Sequence, residues 1–232
     1  MGRTIIIGDV HGCARELADL LRYVGARQED RVVFVGDLVV RGPAPRDVVA
    51  LARSLSARAV RGNHEDRLLR WRASNGSMPI GALTKETAKQ LSQADWDYLA
   101  AMPLWLDLPE HTIRVVHAGL VPKVPMPSQD PRNLLFIRSF DERGDPVMAR
   151  GSKSWAHSHH GPEHVVFGHN AQEEPEIAPF ATGIDTGAVY GGRLTAMVLN
   201  PGERPPDVSE RSRVLISVPA RRAYYAKDGR RD

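Results

Sequence analysis

Five times along this chain a short apolar run stops at residues that can hold a metal ion, with a glycine beside them. Thr4-Ile5-Ile6-Ile7 runs into Gly8-Asp9, with His11 two positions on. Val32-Val33-Phe34-Val35 runs into Gly36-Asp37, and Ala57-Arg58-Ala59-Val60 is followed by Gly62-Asn63-His64-Glu65. Ile113 to Val116 stops at His117-Ala118-Gly119, and Val165-Val166-Phe167 at Gly168-His169. A continuous β-branched run without polar alternation is how a strand buried on both faces reads. Strands that each end in a chemistry-bearing residue assemble a site at one edge of a sheet. One Gly-Asp pair means little, because Asp is also a common turn former; the ordered recurrence is what constrains the fold.

The segments between these runs are helical. Leu17, Leu20, Leu21 and Val24 recur at helical spacing over about 13 to 25, and Val48, Val49, Leu51, Ala52 and Leu55 mark a second helix. The order βαβα with short glycine-punctuated turns predicts an α/β domain. Asp66 to Arg72 continues as a charged helix with Leu68, Leu69 and Trp71 as its apolar stripe. Residues 74 to 103 read as a loop and short helices, with Asp95 as an N-cap. Four prolines between Pro122 and Pro131 predict a rigid loop without regular structure, and Leu134 to Ile137 brings Arg138 out of an apolar run. Strand-like runs at Gly183-Ile184-Asp185, Leu194 to Leu199 and Val214 to Val218 predict a second, antiparallel sheet. Residues 1–219 form one domain, and the basic stretch 220–232 is expected to be a loosely held tail.

Charge and cysteine content exclude several classes. With 31 Lys+Arg against 28 Asp+Glu the net charge is only +3, a balance that suits an anionic substrate but does not prove one, because scattered arginines usually form a solvated surface. Cys13 is the only cysteine, so there is neither an internal disulfide nor a Cys-rich zinc site. No apolar stretch approaches the roughly 20 residues of a membrane span, and the expected setting is cytoplasmic, with no obligate protein partner.

Two divalent ions about 3.5–4 Å apart need one bridging ligand and several further O or N donors. Asp9, His11, Asp37, Asn63, His117 and His169 supply that inventory, with Asp37 between the two sets. No thiolate is among them, which favours Mn, Fe, Co, Zn or Mg over copper or iron–sulfur. The remaining candidates have blander readings. His157, His159, His160 and His164 read as a solvated loop, Cys13 as a packing residue at a helix start, and His111 as a surface residue. Asp185 reads equally as structural or functional, and Tyr190 as a base-stacking ring or a space filler.

Gly8-Asp9-Val10-His11-Gly12, Gly36-Asp37 with Arg41-Gly42, Gly62-Asn63-His64-Glu65, His117-Ala118-Gly119 and Gly168-His169 together resemble the calcineurin-like metallophosphoesterases. The branch is the one containing Ser/Thr protein phosphatases and symmetrical diadenosine tetraphosphatases. Gly36 to Pro43, Ile184-Asp185-Thr186-Gly187 and Gly191-Gly192-Arg193-Leu194-Thr195 are similar to the latter type. The resemblance implies a central β-sandwich of two mixed sheets flanked by helices. It implies two metals, manganese first among the candidates: Asp9 and His11 on one, Asn63, His117 and His169 on the other, and Asp37 bridging. His64 would stand near the leaving group, Arg41 and Arg138 would clamp phosphate, and Tyr190 would contact substrate. The implied reaction is in-line attack of a metal-bridging hydroxide on a dinucleoside polyphosphate, giving two ADP from diadenosine tetraphosphate. The rival substrates are phosphoproteins and nucleotide-capped RNA 5' ends. Val40 departs from the protein-phosphatase pattern, in which an Asp stands before the arginine to orient the histidine acid.

Overall fold

The computed structural model describes residues 2–149, 151 and 154–226. In chain order the elements are β1 (Thr4–Ile7), α1 (Ala14–Tyr23), β2 (Arg31–Phe34), α2 (Pro45–Ser54), β3 (Arg58–Ala59), α3 (Asn63–Ala73), α4 (Ala82–Gln90), α5 (Gln93–Ala100), β4 (Trp105–Leu108), β5 (Ile113–Val116), α6 (Pro131–Phe136), β6 (Ser139–Phe140) and β7 (Pro146–Val147). They continue with β8 (His164–Phe167), β9 (Glu176–Ala178), β10 (Ala181–Gly183), β11 (Arg193–Leu199) and β12 (Leu215–Pro219).

Two five-stranded mixed sheets face each other, ordered β12-β11-β1-β2-β3 and β4-β5-β8-β10-β9. In the first, β1, β2 and β3 are parallel, and β11 and β12 join antiparallel. In the second, β5, β8 and β10 are parallel, with β4 and β9 antiparallel at the edges. The continuous apolar runs are explained by the layering. Ile6 and Val33 point into the inter-sheet core with Val115, Val166 and Met197, whereas Ile5, Ile7, Val32 and Phe34 pack outward beneath α1 and α2. On the far face Val116, Val165 and Phe167 pack against Leu134 of α6 and Trp155. The expected sandwich of two mixed sheets with helices outside is therefore present.

Several local expectations are corrected. The last third does not build its own antiparallel sheet: β11 pairs with β1, because Arg193–Leu199 is long and apolar enough to complete the first sheet. Asp95 does not cap α5. Ser92 is the cap, and Asp95 reaches back from the third position to accept the Ser92 N–H at 2.9 Å. The proline-rich segment contains a short 3₁₀ turn at Met126–Ser128, and Pro131 opens α6, whose first turn has no use for the missing N–H. His111 is buried, bonded to Thr4 Oγ1 at 2.8 Å and the Glu203 carbonyl at 2.6 Å. His159 and His164 are also buried, whereas His157 and His160 are exposed, so the solvated-loop reading holds for only half of that cluster. Of the tail, residues 220–226 are tied to the domain by the bonds of Arg221 and Tyr224 to Glu16, and residues 227–232 lie outside the described ones.

Candidate metal centre

Every parallel strand ends at the same place. Asp9 follows β1, Asp37 follows β2, Asn63 follows β3, His117 follows β5, His169 follows β8 and Asp185 follows β10, three from each sheet. The turns that carry them are strained: His11, Asp37, Val40, Arg41 and His169 all have positive φ, between 45 and 69 degrees. Non-glycine residues are held in that region only where the surroundings over-determine them.

Asp37 lies at the centre. Its Oδ2 is 3.5 Å from His11 Nε2 and 3.5 Å from His117 Nε2, so one oxygen stands midway between two imidazoles. The opposite nitrogen of each ring is held by a carbonyl: Nδ1 of His11 donates to Val39 at 3.1 Å, and Nδ1 of His117 to Val35 at 2.9 Å. These bonds fix the tautomers and turn the Nε2 lone pairs toward Asp37, which is how a ligating histidine is set. The Asn63 Oδ1 lies 3.0 Å from His117 Nε2 and 2.9 Å from His169 Nδ1. With His117 protonated on Nδ1, its Nε2 and the Asn63 oxygen are both acceptors, and a cation between them removes the repulsion.

Two trios have ligand atoms within 4.8 Å of one another: His11, Asp37 and His64, and Asp37, His117 and His169. Asp9 belongs to neither, since both its oxygens face the His169 N–H, at 3.2 and 3.1 Å. It is nonetheless wedged against the same turn, where a Cβ on Gly168 would come within 1.9 Å of its Oδ1. His64 stacks edge-on to His11 with ring centroids 5.0 Å apart, and its Nδ1 has no hydrogen-bond partner among the described residues.

The electrostatics ask for positive charge. Burial, then the charges of Asp185 and Asp37, hold Asp9 well above the usual carboxylate range. Burial likewise raises Asp37 to about 6, with Arg41 opposing, and Asp185 to about 6. Burial pushes His11, His64 and His169 far down, so the rings stay neutral, the form that ligates. Buried acids and neutral imidazoles converging on one point fit divalent cations.

Glu65, quoted in the sequence motif without a role, holds this arrangement. Its Oε2 accepts the N–H of Asp37 and of Gly62, both at 2.9 Å, and its Oε1 accepts those of Leu38 at 2.8 Å and Val39 at 3.3 Å. The signal in the sequence was its place three residues after Gly62, the position from which a glutamate reaches back to a helix start. A Cβ on Gly62 would come within 2.2 Å of Asp37 Oδ1, so that glycine is required by the approach.

Above the cluster opens a cavity of about 480 Å³, lined by Asp37, Arg41, Asn63, Arg138, His169, Asp185 and Tyr190. Arg41 Nη1 donates to His11 Nε2 at 2.8 Å, and Arg138 Nη1 to Asn170 Oδ1 at 3.4 Å. The structure thus brings together all ten sequence candidates and adds Glu65 and Asp185.

Residues 2–192 match the calcineurin-like phosphoesterase family. The asymmetrical bis(5'-nucleosyl)-tetraphosphatase PrpE of Oceanobacillus iheyensis is 31% identical over 220 residues, covering 82% of this chain and 86% of that one. A crystal structure of a protein assigned as a diadenosine tetraphosphatase superposes with a TM-score of 0.80 at 35% identity, covering 94% of each chain. A Saccharomyces cerevisiae protein serine/threonine phosphatase superposes at 0.58 with 18% identity, over 94% of this chain and 79% of that one, a likeness of fold alone.

Proposed function

Because the chain belongs to the calcineurin-like phosphoesterases, we propose that it hydrolyses phosphoanhydride bonds of dinucleoside polyphosphates at the cluster around Asp37. The observation that carries this reading is that two guanidinium groups and an aromatic ring, Arg41, Arg138 and Tyr190, line the cavity that opens on the metal-capable side chains. Arginines present planar paired donors to phosphate oxygens, and a ring beside them suits a nucleobase.

In this reading His11, Asp37, Asn63, His117 and His169, with Asp9 behind them, would hold two divalent ions, manganese first and cobalt, iron, zinc or magnesium also suited to the donors. When bound, such ions supply Lewis acidity, lowering the pKa of water and neutralising phosphate charge. The protein's own part is positional. Glu65 fixes the Asp37 loop, the Val39 and Val35 carbonyls aim the two imidazoles, Arg41 and Arg138 orient the phosphate, and His64 stands where a departing oxygen takes a proton. Because His64 Nδ1 has no hydrogen-bond partner among the described residues, its ring is poorly held as an acid, which favours a leaving group that needs little protonation. A nucleotide phosphate is such a group, with a second pKa near 6.

Four phosphates divide either equally, into two ADP, or unequally, into AMP and ATP. The sequence motifs suggested the equal split; the relatives' name says asymmetrical, and we take the unequal one for this chain. The test is chromatography of products from diadenosine tetraphosphate with manganese, alongside a phosphoserine peptide and a nucleotide-capped RNA. AMP and ATP are expected. Phosphate release from the peptide with the dinucleotide untouched would reject the reading, and two ADP would reject only the cleavage position.

A further inference from the structure

The match to the family ends at residue 192, but the chain beyond it returns to the segment that carries Tyr190, whose side chain lines the cavity. The Ala220 N–H donates to the Gly192 carbonyl at 2.8 Å, and the N–H groups of Tyr224 and Tyr225 both donate to the Val189 carbonyl, at 2.9 and 3.0 Å. On the other side the Arg221 N–H and the Tyr224 hydroxyl donate to the same oxygen of buried Glu16 in α1, at 3.0 and 2.8 Å. Residues 220–226 are therefore a strap fastened at both flanks, and the strap sets the Tyr225 ring 6.2 Å from that of Tyr190. The Arg41 Cζ lies 5.7 Å from the Tyr190 centroid and 5.6 Å from that of Tyr225. The three centres form a near-equilateral triangle, so the guanidinium rests over the notch between two rings.

We propose that Tyr225 is a positioning residue for Arg41, and that the strap serves the site by holding this ring behind the guanidinium. Arg41 is a long side chain on a backbone with φ of 69 degrees, and its Nε has no hydrogen-bond partner among the described residues. Its Nη1 bond to His11 uses the lone pair that a cation would claim. When that lone pair is given to a cation, the two ring faces remain to hold the guanidinium over the cavity. A cation is attracted to an aromatic face within about 6 Å of its centroid, and two faces restrict the rotamers that an arginine would otherwise have to give up on meeting phosphate. The proposal rests on the reading of Arg41 as a phosphate clamp.

The experiment compares Tyr225→Ala, Tyr225→Leu and Tyr225→Phe, each in the native and the Arg41→Ala background. Kinetics are measured on diadenosine tetraphosphate and on p-nitrophenyl phosphate with saturating manganese, together with bound metal and Tm. Removing the face, by Ala or Leu, should lower kcat about tenfold with metal content unchanged, while Phe, which keeps the ring, stays within about twofold. In the Arg41→Ala background Tyr225→Ala should add less than about twofold, because the group it positions is gone. Tyr225→Leu with native turnover, or the same loss in both backgrounds, overturns the positioning role. Native turnover by Arg41→Ala itself rejects the clamp reading and the proposal with it. A protein active on p-nitrophenyl phosphate but inert to the dinucleotide rejects the proposed substrate, while the Tyr225–Arg41 coupling is still read on the aryl phosphate.

Discussion

Glu65 accepts the backbone N–H of Asp37 at 2.9 Å, and through it a buried carboxylate in the first turn of α3 fixes the loop that carries the central side chain of the site. Four N–H donors converge on Glu65, which is fully buried. Burial and then the charge of Asp37 raise it to about 7, and the N–H donors act against that rise. Glu65→Ala leaves those donors unpaired, so it should destabilise the fold by roughly 3 kcal/mol or more and lower metal content. Calorimetry with metal analysis decides; a native Tm and native metal load would show that the loop holds itself.

Asp37→Asn should release metal and reduce hydrolysis by at least about a thousandfold, since Asp37 belongs to both trios and a neutral amide oxygen is a far weaker ligand than a carboxylate. In the native protein a chelator should abolish turnover and added manganese restore it. Undiminished turnover by chelated protein would refute the metal centre.

Arg138 lines the cavity but is in neither metal-capable trio. Arg138→Ala should therefore slow turnover about 10²–10³-fold with metal content and Tm intact. A variant that purifies short of metal would instead mark the arginine as structural support.

Val40 is fully buried and has φ of 67 degrees, a conformation that β-branched residues resist and Asp tolerates. It stands where the protein-phosphatase pattern has the acid-orienting Asp, and His64 Nδ1 has no hydrogen-bond partner among the described residues. The native protein should favour diadenosine tetraphosphate over a phosphoserine peptide, and Val40→Asp should narrow the gap by improving the peptide reaction. The ratio of kcat/KM values in both proteins is the measurement, and a native preference for the peptide would contradict the argument.

His164 shows how the histidine-rich segment contributes to stability. Arg211 Nη1 lies 2.9 Å from its Nε2 and 2.6 Å from Thr182 Oγ1, and burial, then the Arg211 charge, pushes the imidazole down to about 3. The unfolded chain takes up this proton near pH 6.5 and the folded one does not, so the linked stability is full above 6.5 and declines as pH falls toward 3. His164→Gln should flatten the fall in Tm across that window, and an unchanged slope would show that other groups dominate it.

What could be read in the sequence was whatever depends on neighbouring positions. Strand ends carry their own punctuation, so Asp9, His11, Asp37, Asn63, His64, His117 and His169 were all visible, and the apolar runs implied strands covered on both faces. What could not be read depends on pairing across distance. β11 lies beside β1, nearly the whole chain away, so the sheet assignment of the last third waited for the fold. Burial of His111 and His164 is decided by partners remote in sequence, Thr4 and Glu203 for the first and Thr182 and Arg211 for the second. Asp185 looked optional until β10 proved to be the sixth parallel strand ending at the site. The tail looked loose because its composition is basic and polar. Glu16 and Val189 hold it by hydrogen bonds to backbone and hydroxyl, which leave no trace in hydropathy or charge pattern.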